Sequence, residues 1–396
     1  MSNLKNKNIL LCITGSIAAY KSCEIIRLLR KENAQVQVMI SKAAEQFIGI
    51  ATLAALSNNK VITNLFPDNP KGGLEHVELS FDIDLILVAP ATANILCKAA
   101  NGVADDLIST TLSICEQPTI FVPAMNFRMW QNKATINAVK ILKKREKNIV
   151  PPVEGKLASL HSGEGRLADI NSIMNAVRKI FEPNLSLENK RILVTAGPTR
   201  EAIDPVRYIS NRSSGKMGFE IAKAAKNMGA QVTLVSGPVN LDDPPQINLH
   251  KIESAKEMLK KLLELIKEQD FDYIFMSAAV ADYYAVTNKM KIKSNSKKIK
   301  LELYKTHDVL KEVTKSTNAI VIGFALETDD GENEAIKKIK NKGIDYIVLN
   351  YANEENAGFD VNTNHVYIFD KKNNKIEIAL DRKDRIAKKI IVNILL

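Results

Sequence analysis

The stretch NILLCITGSIAAYK, residues 8–21, decides the fold of the first half of this chain. It combines an apolar run of strand length at Asn8–Ile13, a small polar turn at Thr14-Gly15-Ser16, and a helical pattern that continues to Glu32. Further apolar runs lie at Val36–Ile40, Leu85–Ala89 and Thr119–Val122, separated by helical stretches. This alternation is typical of a parallel sheet that helices cover on both faces. The first half is therefore predicted to be a doubly wound α/β domain.

The alternation begins again after a polar junction at Glu182–Ser186. The segment Arg191–Gly197 (RILVTAG) predicts a new strand followed by a glycine-containing loop. Further strands are predicted at 231–235, 273–276, 320–323 and 346–349, and helices at 218–228 and 255–268. We place the domain boundary at this junction, which gives domains 1–185 and 186–396 of a two-domain α/β protein.

Composition excludes several classes of protein. The 396 residues are 45% hydrophobic and 25% charged, as in ordinary globular proteins. The net charge of +10 divides evenly between the two halves, with one lysine-rich stretch near 289–300, and this favours small phosphorylated anions over nucleic acid. Cys12, Cys23, Cys97 and Cys115 are too widely spaced to indicate zinc or a disulfide framework. Without a signal peptide or a membrane-spanning run, we expect a cytoplasmic protein that binds no membrane.

Several motifs in the first half follow predicted strand ends. The small residues of TGSIAAYK let backbone N–H groups approach a phosphate, although this motif alone is a weak signal. The others are His76 after Gly72-Gly73, PATAN at 90–94, NGVADDL at 101–107 and PAMNFRMW at 123–130. Loops at the carboxyl ends of parallel strands meet in one crevice, so these segments could surround a single flat ligand. Taken singly, His76 could be a surface histidine, and Met125, Met129 and Trp130 could be core residues.

Together these segments resemble the phosphopantothenoylcysteine decarboxylases of the flavin-dependent cysteine decarboxylase family over residues 4–180. The resemblance implies a flavodoxin-like domain that binds FMN and assembles into trimers. It assigns His76 as the catalytic base or proton relay and Asn126 as the group that holds the substrate carboxylate. The residues that it places around the flavin are Gly15, Ser16, Ile17, Ser41, Ala91, Thr92 and Asn94.

The substrate flap departs from the family pattern. In GKLASLHSGEGRLAD, residues 155–169, Ser159 stands where the family has a cysteine that donates a proton late in the reaction. A hydroxyl is a far weaker acid than a thiol with a pKa near ~8.5. The other flap residues Gly163, Gly165 and Arg166 are present. Either Ser159 relays a proton through water or His161, or the last step is slow, or the domain has lost its decarboxylase activity.

The second half carries VTAGPTREAIDPVRYISNRSSGKMG at 194–218, whose polar loop would present N–H groups and a lysine to phosphate. The spacing of SSGKMG is not that of a P-loop, and no GxGxxG follows a strand, which weakens a nucleotide-dependent reductase reading. Asp282 could bind a metal or a ribose, while Lys338 and Lys342 could be a solvated helix face. The remaining motifs are SAAVADY at 277–283, Lys291-Ile292-Lys293, THDVL at 306–310 and GFALET at 323–328.

As a set, these motifs resemble the phosphopantothenate-cysteine ligases, in the CTP-using bacterial form that is fused to the decarboxylase, over residues 191–380. The resemblance implies a Rossmann-like fold that dimerises, with Asn211 holding the acyl-cytidylate and Mg²⁺ accompanying the triphosphate; the metal ligands are unknown. It places Lys291, Lys338 and Lys342 on the triphosphate. The residues that it places at the cytidine are Met276, Ser277, Ala278, Asp282, His307, Asp308, Val309, Leu310 and Phe324.

We therefore expect a bifunctional enzyme of coenzyme A biosynthesis with 4'-phosphopantothenate, L-cysteine and CTP as substrates. Trimeric decarboxylase domains and dimeric ligase domains would combine into a homo-oligomer, such as a dodecamer. The alternative is an active ligase fused to a flavin-binding scaffold that has lost decarboxylase activity and only assembles the oligomer, and Ser159 keeps that alternative open.

Overall fold

The computed structural model describes residues 4–66, 79, 81–156, 162–182, 185–293, 300–354 and 361–396. The chain divides into two compact units, Met1–Glu182 and Pro183–Leu396.

Parallel strands form the centre of the first unit, as the sequence predicted. The strands are β1 Asn8–Ile13, β2 Gln35–Ile40, β3 Leu85–Ala91, β4 Thr119–Pro123 and β5 Asn148–Ile149. Within the described residues they pair in the order β2-β1-β3-β4-β5. Ile9 and Leu11 pack on one face of the sheet, whereas Leu10 and Cys12 pack on the other, so both faces of β1 are buried. Helices flank both faces, which confirms the doubly wound α/β fold.

The helices of this unit include one that differs from its prediction. The continuous helical pattern from Ile17 to Glu32 is a 3-10 helix, Ile17–Lys21, followed by an α-helix from Ser22 to Lys31. Ser22 is buried and its Oγ donates to the Ala89 oxygen at 2.9 Å, which fixes the change of helix type against β3. The α-helices are α1 Ser22–Lys31, α2 Ile50–Ser57, α3 Ala93–Asn101, α4 Leu107–Ile114, α5 Phe127–Trp130, α6 Lys133–Lys144 and α7 Ile170–Ile180. A separate antiparallel hairpin joins β6 Val153–Lys156 to β7 Ser162–Arg166.

The second unit has a mixed sheet. Its strands in the described residues are β8 Arg191–Ala196, β11 Gln231–Ser236, β12 Asn248–Lys251, β13 Tyr273–Met276, β16 Ile320–Glu327, β17 Tyr346–Tyr351, β18 Thr363–Asp370 and β19 Lys375–Arg382. They pair in the order β12-β11-β8-β13-β16-β17-β18-β19, parallel as far as β17 and antiparallel after it. Two short antiparallel pairs stand apart from the sheet: β9 Arg200–Ala202 with β10 Tyr208–Ser210, and β14 Tyr283–Ala285 with β15 Leu303–Lys305.

Helices cover both faces of this sheet, and the core forms two layers, one on each side. The sequence predicted the parallel strands β8, β11, β13, β16 and β17 and helices at 218–228 and 255–268, but it missed β12, β18, β19 and the last helix. The helices are α8 Lys216–Asn227, α9 Ala255–Glu268, α10 Val309–Lys315, α11 Gly331–Lys342 and α12 Lys383–Leu395.

Candidate active sites

Three strand-end loops of the first unit meet at the carboxyl edge of its sheet. Thr14 Oγ1 donates to the Pro90 oxygen at 2.7 Å and accepts from the Thr92 N–H at 3.1 Å, so the loops after β1 and β3 are joined. A Cβ on Gly15 would lie 2.5 Å from the Ala43 Cβ, so only glycine lets the loops after β1 and β2 approach this closely. The structure therefore brings together the loops that carry Gly15, Ser16, Ile17, Ser41, Ala91 and Thr92.

Each of these loops opens a helical turn whose N–H groups are capped by a hydroxyl. Ser16 Oγ accepts from the Ala18 N–H at 3.4 Å, Ser41 Oγ from the Ala44 N–H at 3.3 Å, and Thr92 Oγ1 from the Ile95 N–H at 3.4 Å. Helix N-termini carry partial positive charge and favour anions. Ile17 and Asn94 are exposed beside them, whereas Ala91 is fully buried. Such an edge fits a phosphorylated, partly apolar ligand such as FMN, with Ala91 available only through its backbone.

The side-chain amide of Asn126, which is predicted to bind the substrate, is held in place through its oxygen. Asn126 caps α5, because its Oδ1 accepts from the Arg128 N–H at 2.9 Å. This bond orients the side chain and leaves the Nδ2 hydrogens as the donors that a substrate carboxylate could accept.

The hairpin β6–β7 lies directly on the loop that carries Asn126. The Met125 N–H donates to the Gly165 oxygen at 2.9 Å. A Cβ on Gly165 would lie 2.3 Å from the Met125 oxygen, and one on Gly163 would lie 2.8 Å from the Phe127 Cβ. These two glycines, which belong to the flap motif, therefore allow the hairpin to pack on the backbone beside Asn126.

Lys21 is a basic residue at this edge that the sequence reasoning left unassigned. Burial lowers the pKa of Lys21, and the nearby Arg166 guanidinium lowers it further. Arg166 ends β7 at the base of the hairpin. The sequence indicates only that Lys21 belongs to the TGSIAAYK motif and Arg166 to the flap motif; it does not show that the two cations lie near each other. His76, Ser159 and His161 lie outside the described residues.

In the second unit, the SAAVADY loop after β13 is hydrogen-bonded to the TAGPT loop after β8. Ser277 Oγ donates to the Thr195 oxygen at 2.5 Å, and Thr195 Oγ1 accepts from the Ala278 N–H at 3.1 Å. Thr199 Oγ1 accepts from the Ala281 N–H at 2.9 Å. A Cβ on Gly218 would lie 2.6 Å from Ser277 Oγ, so glycine at this point of α8 lets the helix approach the same loop. The two threonines that make these bonds were missed, because nothing in the sequence shows which distant loop they meet.

Asn211 is hydrogen-bonded to the backbone of this loop. Its Nδ2 donates to the Ala279 oxygen at 3.3 Å and to the Val280 oxygen at 3.0 Å. Two carbonyl acceptors define which end of the amide is nitrogen. The Nδ2 group is therefore engaged with the protein backbone, and Asn211 would donate to an intermediate most readily after one of these bonds is released. Its Oδ1 is the group that remains able to accept a hydrogen bond.

The THDVL loop adjoins the same region. Thr306 Oγ1 donates to the Ala281 oxygen at 2.7 Å, and the Thr306 N–H donates to the Asp282 oxygen at 2.9 Å. Asp282 and His307 have exposed side chains, whereas the side chains of Met276 and Val309 are buried. Phe324 and Leu310 are half-buried and pack on the core. Met276 and Val309 can therefore meet a ligand only through their backbone.

Lys338 and Lys342 of α11 form ion pairs with carboxylates, so they are not simply a solvated helix face. Lys338 Nζ lies 2.6 Å from Glu327 Oε1, and Lys342 Nζ forms an ion pair with Asp308 Oδ2. Burial acts to raise the pKa of Asp308, but its bonds to Lys342 and to the Lys311 N–H hold it below the usual value. Both partners belong to the predicted cytidine loops, so α11 is held against that region. A triphosphate would have to exchange places with these carboxylates.

The described residues show neither a metal-binding cluster nor a membrane-spanning helix. No group of three or more His, Cys, Asp or Glu side chains in the described part of the chain is arranged to hold a metal ion. None of the helices in those residues has the length and apolar character needed to cross a bilayer.

Comparison with known proteins gives matches along the whole chain. Residues 1–182 match the Flavoprotein family, and residues 187–396 match the DNA/pantothenate metabolism flavoprotein C-terminal domain. The coenzyme A biosynthesis bifunctional protein CoaBC of Bacillus subtilis is 39% identical over 99% of this chain and 97% of its own length. The Escherichia coli protein of the same name is 37% identical over 98% of this chain and 97% of its own length. A crystal structure of the C-terminal domain of CoaBC is 38% identical, with a TM-score of 0.44, and covers 53% of this chain and 96% of that one.

Proposed function

The chain belongs to the family of coenzyme A biosynthesis bifunctional proteins, and from this premise we propose how its two halves divide the work. Residues 186–396 join L-cysteine to 4'-phosphopantothenate at the expense of CTP. Residues 1–185 then decarboxylate phosphopantothenoylcysteine to 4'-phosphopantetheine with FMN. The observation that carries the first-half assignment is the meeting of three capped strand-end loops beside the loop of Asn126. The position of the boundary is part of the proposal.

The ligase reaction needs an activated acyl group, because a carboxylate is a poor electrophile. The carboxylate of 4'-phosphopantothenate attacks the α-phosphate of CTP, pyrophosphate leaves, and a mixed anhydride forms. The amine of cysteine then attacks the acyl carbon and CMP leaves. We assign Lys291, Lys338 and Lys342 to the triphosphate, where they would offset its negative charge. The loop residues from Met276 to Asp282, the THDVL loop and Phe324 would hold the cytidine. Mg²⁺ would bind together with the triphosphate. In the described residues, no group of three or more His, Cys, Asp or Glu side chains is arranged to hold a metal ion.

Asn211 would act on the acyl-cytidylate as a neutral group. It sits on the loop opposite Ala279 and Val280, and an amide neither supplies nor removes a proton. Its engaged Nδ2 implies that binding of the intermediate is coupled to a shift of this loop or to recognition through Oδ1.

In the first half, the residues present fit FMN: small side chains at Gly15 and Ser16, three helical N-termini, and the apolar Ile17 beside them. FMN, when bound, supplies an electron acceptor without which the departing carboxylate has no sink. Asn126 Nδ2 would hold the substrate carboxylate in the orientation that allows CO₂ to leave. The hairpin β6–β7 would cover that carboxylate and exclude water. His76 and Ser159 are the groups that we assign to proton transfer.

The decisive experiment uses the full-length chain. We expect it to purify yellow with non-covalent FMN, to release CMP and pyrophosphate when given CTP, phosphopantothenate and cysteine, and to release CO₂ from added phosphopantothenoylcysteine. A flavin-containing preparation with full ligase turnover and no CO₂ release would instead establish the scaffold alternative for the first half. A colourless preparation that does not take up FMN would contradict the flavin assignment.

We also propose that the ligase domains dimerise through the two short strand pairs. Four large apolar side chains on these hairpins, Val206, Tyr208, Tyr283 and Tyr304, are exposed. Exposed apolar side chains can mark protein contacts, and Asp282 and the THDVL motif of the predicted cytidine site lie next to Tyr283 and Tyr304 in sequence. Decarboxylase trimers joined to ligase dimers would give a dodecamer, which we place in the cytoplasm with the small-molecule substrates.

A further inference from the structure

Asp204 is a buried carboxylate that none of the proposed steps uses. Its side chain has no exposed surface. Oδ1 accepts from the backbone N–H groups of Val206 and Arg207, both at 2.8 Å, and Oδ2 accepts from Arg207 Nη1 at 2.6 Å and from the Ile292 N–H at 3.1 Å. Burial acts to raise the pKa of Asp204, but these four donors lower it to about 2. The carboxylate is therefore ionised at neutral pH.

The Asp204–Arg207 pair holds Ile292 by both of its backbone polar groups. Asp204 accepts from the Ile292 N–H, and Arg207 Nη1 donates to the Ile292 oxygen at 3.1 Å. The chain before Lys291 is held by the same region, because the Asn288 N–H donates to the oxygen of Ile203, the residue before Asp204, at 2.9 Å. The backbone beside Lys291 is thus fixed by a turn more than 80 positions earlier in the chain, at Asp204. The side chain of Lys291 is exposed.

We propose that Asp204 is a positioning residue for the CTP-dependent step, because it fixes the Ile292 backbone and so sets where the Lys291 ammonium can reach the triphosphate. This inference rests on the proposed role of Lys291. A lysine side chain is long and flexible, so its ammonium is placed only as well as its backbone is placed. The Asp204 carboxylate accepts hydrogen bonds from three backbone N–H groups and from the Arg207 guanidinium. Because the acceptor is charged, these bonds fix the backbone more firmly than bonds to a neutral acceptor would.

The first test compares two carboxylate-to-amide variants of the full-length protein. Asp204→Asn is nearly isosteric but replaces one acceptor oxygen by a donor, and we expect the KM for CTP to rise about tenfold or more. Cysteine transfer from preformed acyl-cytidylate should keep its wild-type rate. Asp272→Asn is the matched control: Asp272 accepts from the Arg191 N–H at 2.8 Å and from Lys190 at 3.0 Å, at the amino-terminal ends of β8 and β13. It should lower the thermal midpoint without changing the KM for CTP.

The second test asks whether Asp204 acts through Lys291. The rise in KM for CTP in the double variant Asp204→Asn/Lys291→Ala should be no larger than in Lys291→Ala alone. If the two substitutions together raise the KM for CTP by the product of their separate effects, the proposal is overturned. A Lys291→Ala variant with an unchanged KM for CTP would refute the triphosphate role of Lys291 itself, and the inference with it.

Two further measurements guard against a variant that merely misfolds. Ile292→Pro removes the N–H that Asp204 accepts and leaves the residues of the Asp204–Arg207 turn unchanged, so it should raise the KM for CTP in the same way. Hydrogen exchange in Asp204→Asn should lose protection locally at residues 287–293, with the sheet strands unchanged. Wild-type CTP kinetics in a folded Ile292→Pro variant would overturn the proposal.

Discussion

The contact between Gly165 and the Asn126 loop yields a sharp prediction about decarboxylation. An added Cβ on Gly165 would lie 2.3 Å from the Met125 oxygen and 3.2 Å from the Phe127 nitrogen. Both neighbours are backbone atoms, so neither can rotate away. Restoring an ordinary contact distance requires the hairpin to move off the loop by roughly 1 Å, and overpacking of this kind typically costs about 1–3 kcal/mol.

This displacement would disturb the loop that carries Asn126, the residue that we assign to the substrate carboxylate. The hydrogen bond from the Met125 N–H to the Gly165 oxygen would be strained, and it joins the hairpin to the residue before Asn126. A misplacement of about 1 Å around a reacting group can cost on the order of a hundredfold in rate. We therefore expect Gly165→Ala to slow CO₂ release by roughly ten- to a hundredfold, with little change in ligase turnover.

Gly155→Ala is the matched control in the same hairpin. Its Cβ would meet only Arg166 side-chain atoms, at 3.4 Å, which is an ordinary contact. CO₂ release from supplied phosphopantothenoylcysteine measures the effect, CMP release by the same chain controls for concentration, and flavin absorbance controls for folding. Full decarboxylase activity in Gly165→Ala, or equal losses in both variants, would refute the reasoning.

Three other predictions follow from individual side chains. Asn211→Asp should still release pyrophosphate but should transfer the acyl group to cysteine more slowly, so radiolabelled CMP accumulates in the acyl-cytidylate; failure to release pyrophosphate would assign Asn211 to the first step or to folding. Because the pKa of Asp204 is lowered to about 2, its contribution to stability is complete above the unfolded value near ~4 and is lost as the pH falls towards 2. Urea unfolding of the second half between pH 5 and pH 2 should therefore depend on pH less steeply in Asp204→Asn, and an unchanged slope would contradict the ionised, buried carboxylate. Ser159→Cys should speed flavin reoxidation in stopped-flow absorbance while CO₂ release stays nearly constant, because a thiol is the stronger acid; equal reoxidation rates would point to another proton donor.

The sequence alone predicted two α/β units and most of their parallel strands. Apolar runs such as Asn8–Ile13 and Arg191–Ala196, each followed by a glycine-containing loop and a helix, predicted two α/β units, and the family matches and the sheets confirm that fold. These signals are local: residues a few positions apart decide whether a segment is a strand, a turn or a helix. Even so, the helix after Ser16 begins as a 3-10 turn, since Ser22 is held by a carbonyl of the distant strand β3.

The sites required the tertiary structure. The motifs indicated which loops carry chemistry, but only the tertiary structure brings Thr14 to Thr92, Gly165 to Met125, and Asp204 to Ile292. Likewise, the pattern of Lys338 and Lys342 could not distinguish a solvated face from a paired one, because their partners Glu327 and Asp308 come from other elements. A hydrogen bond or an ion pair between residues tens of positions apart leaves no periodicity in the sequence; it exists only once the sheet has set which loop ends lie side by side.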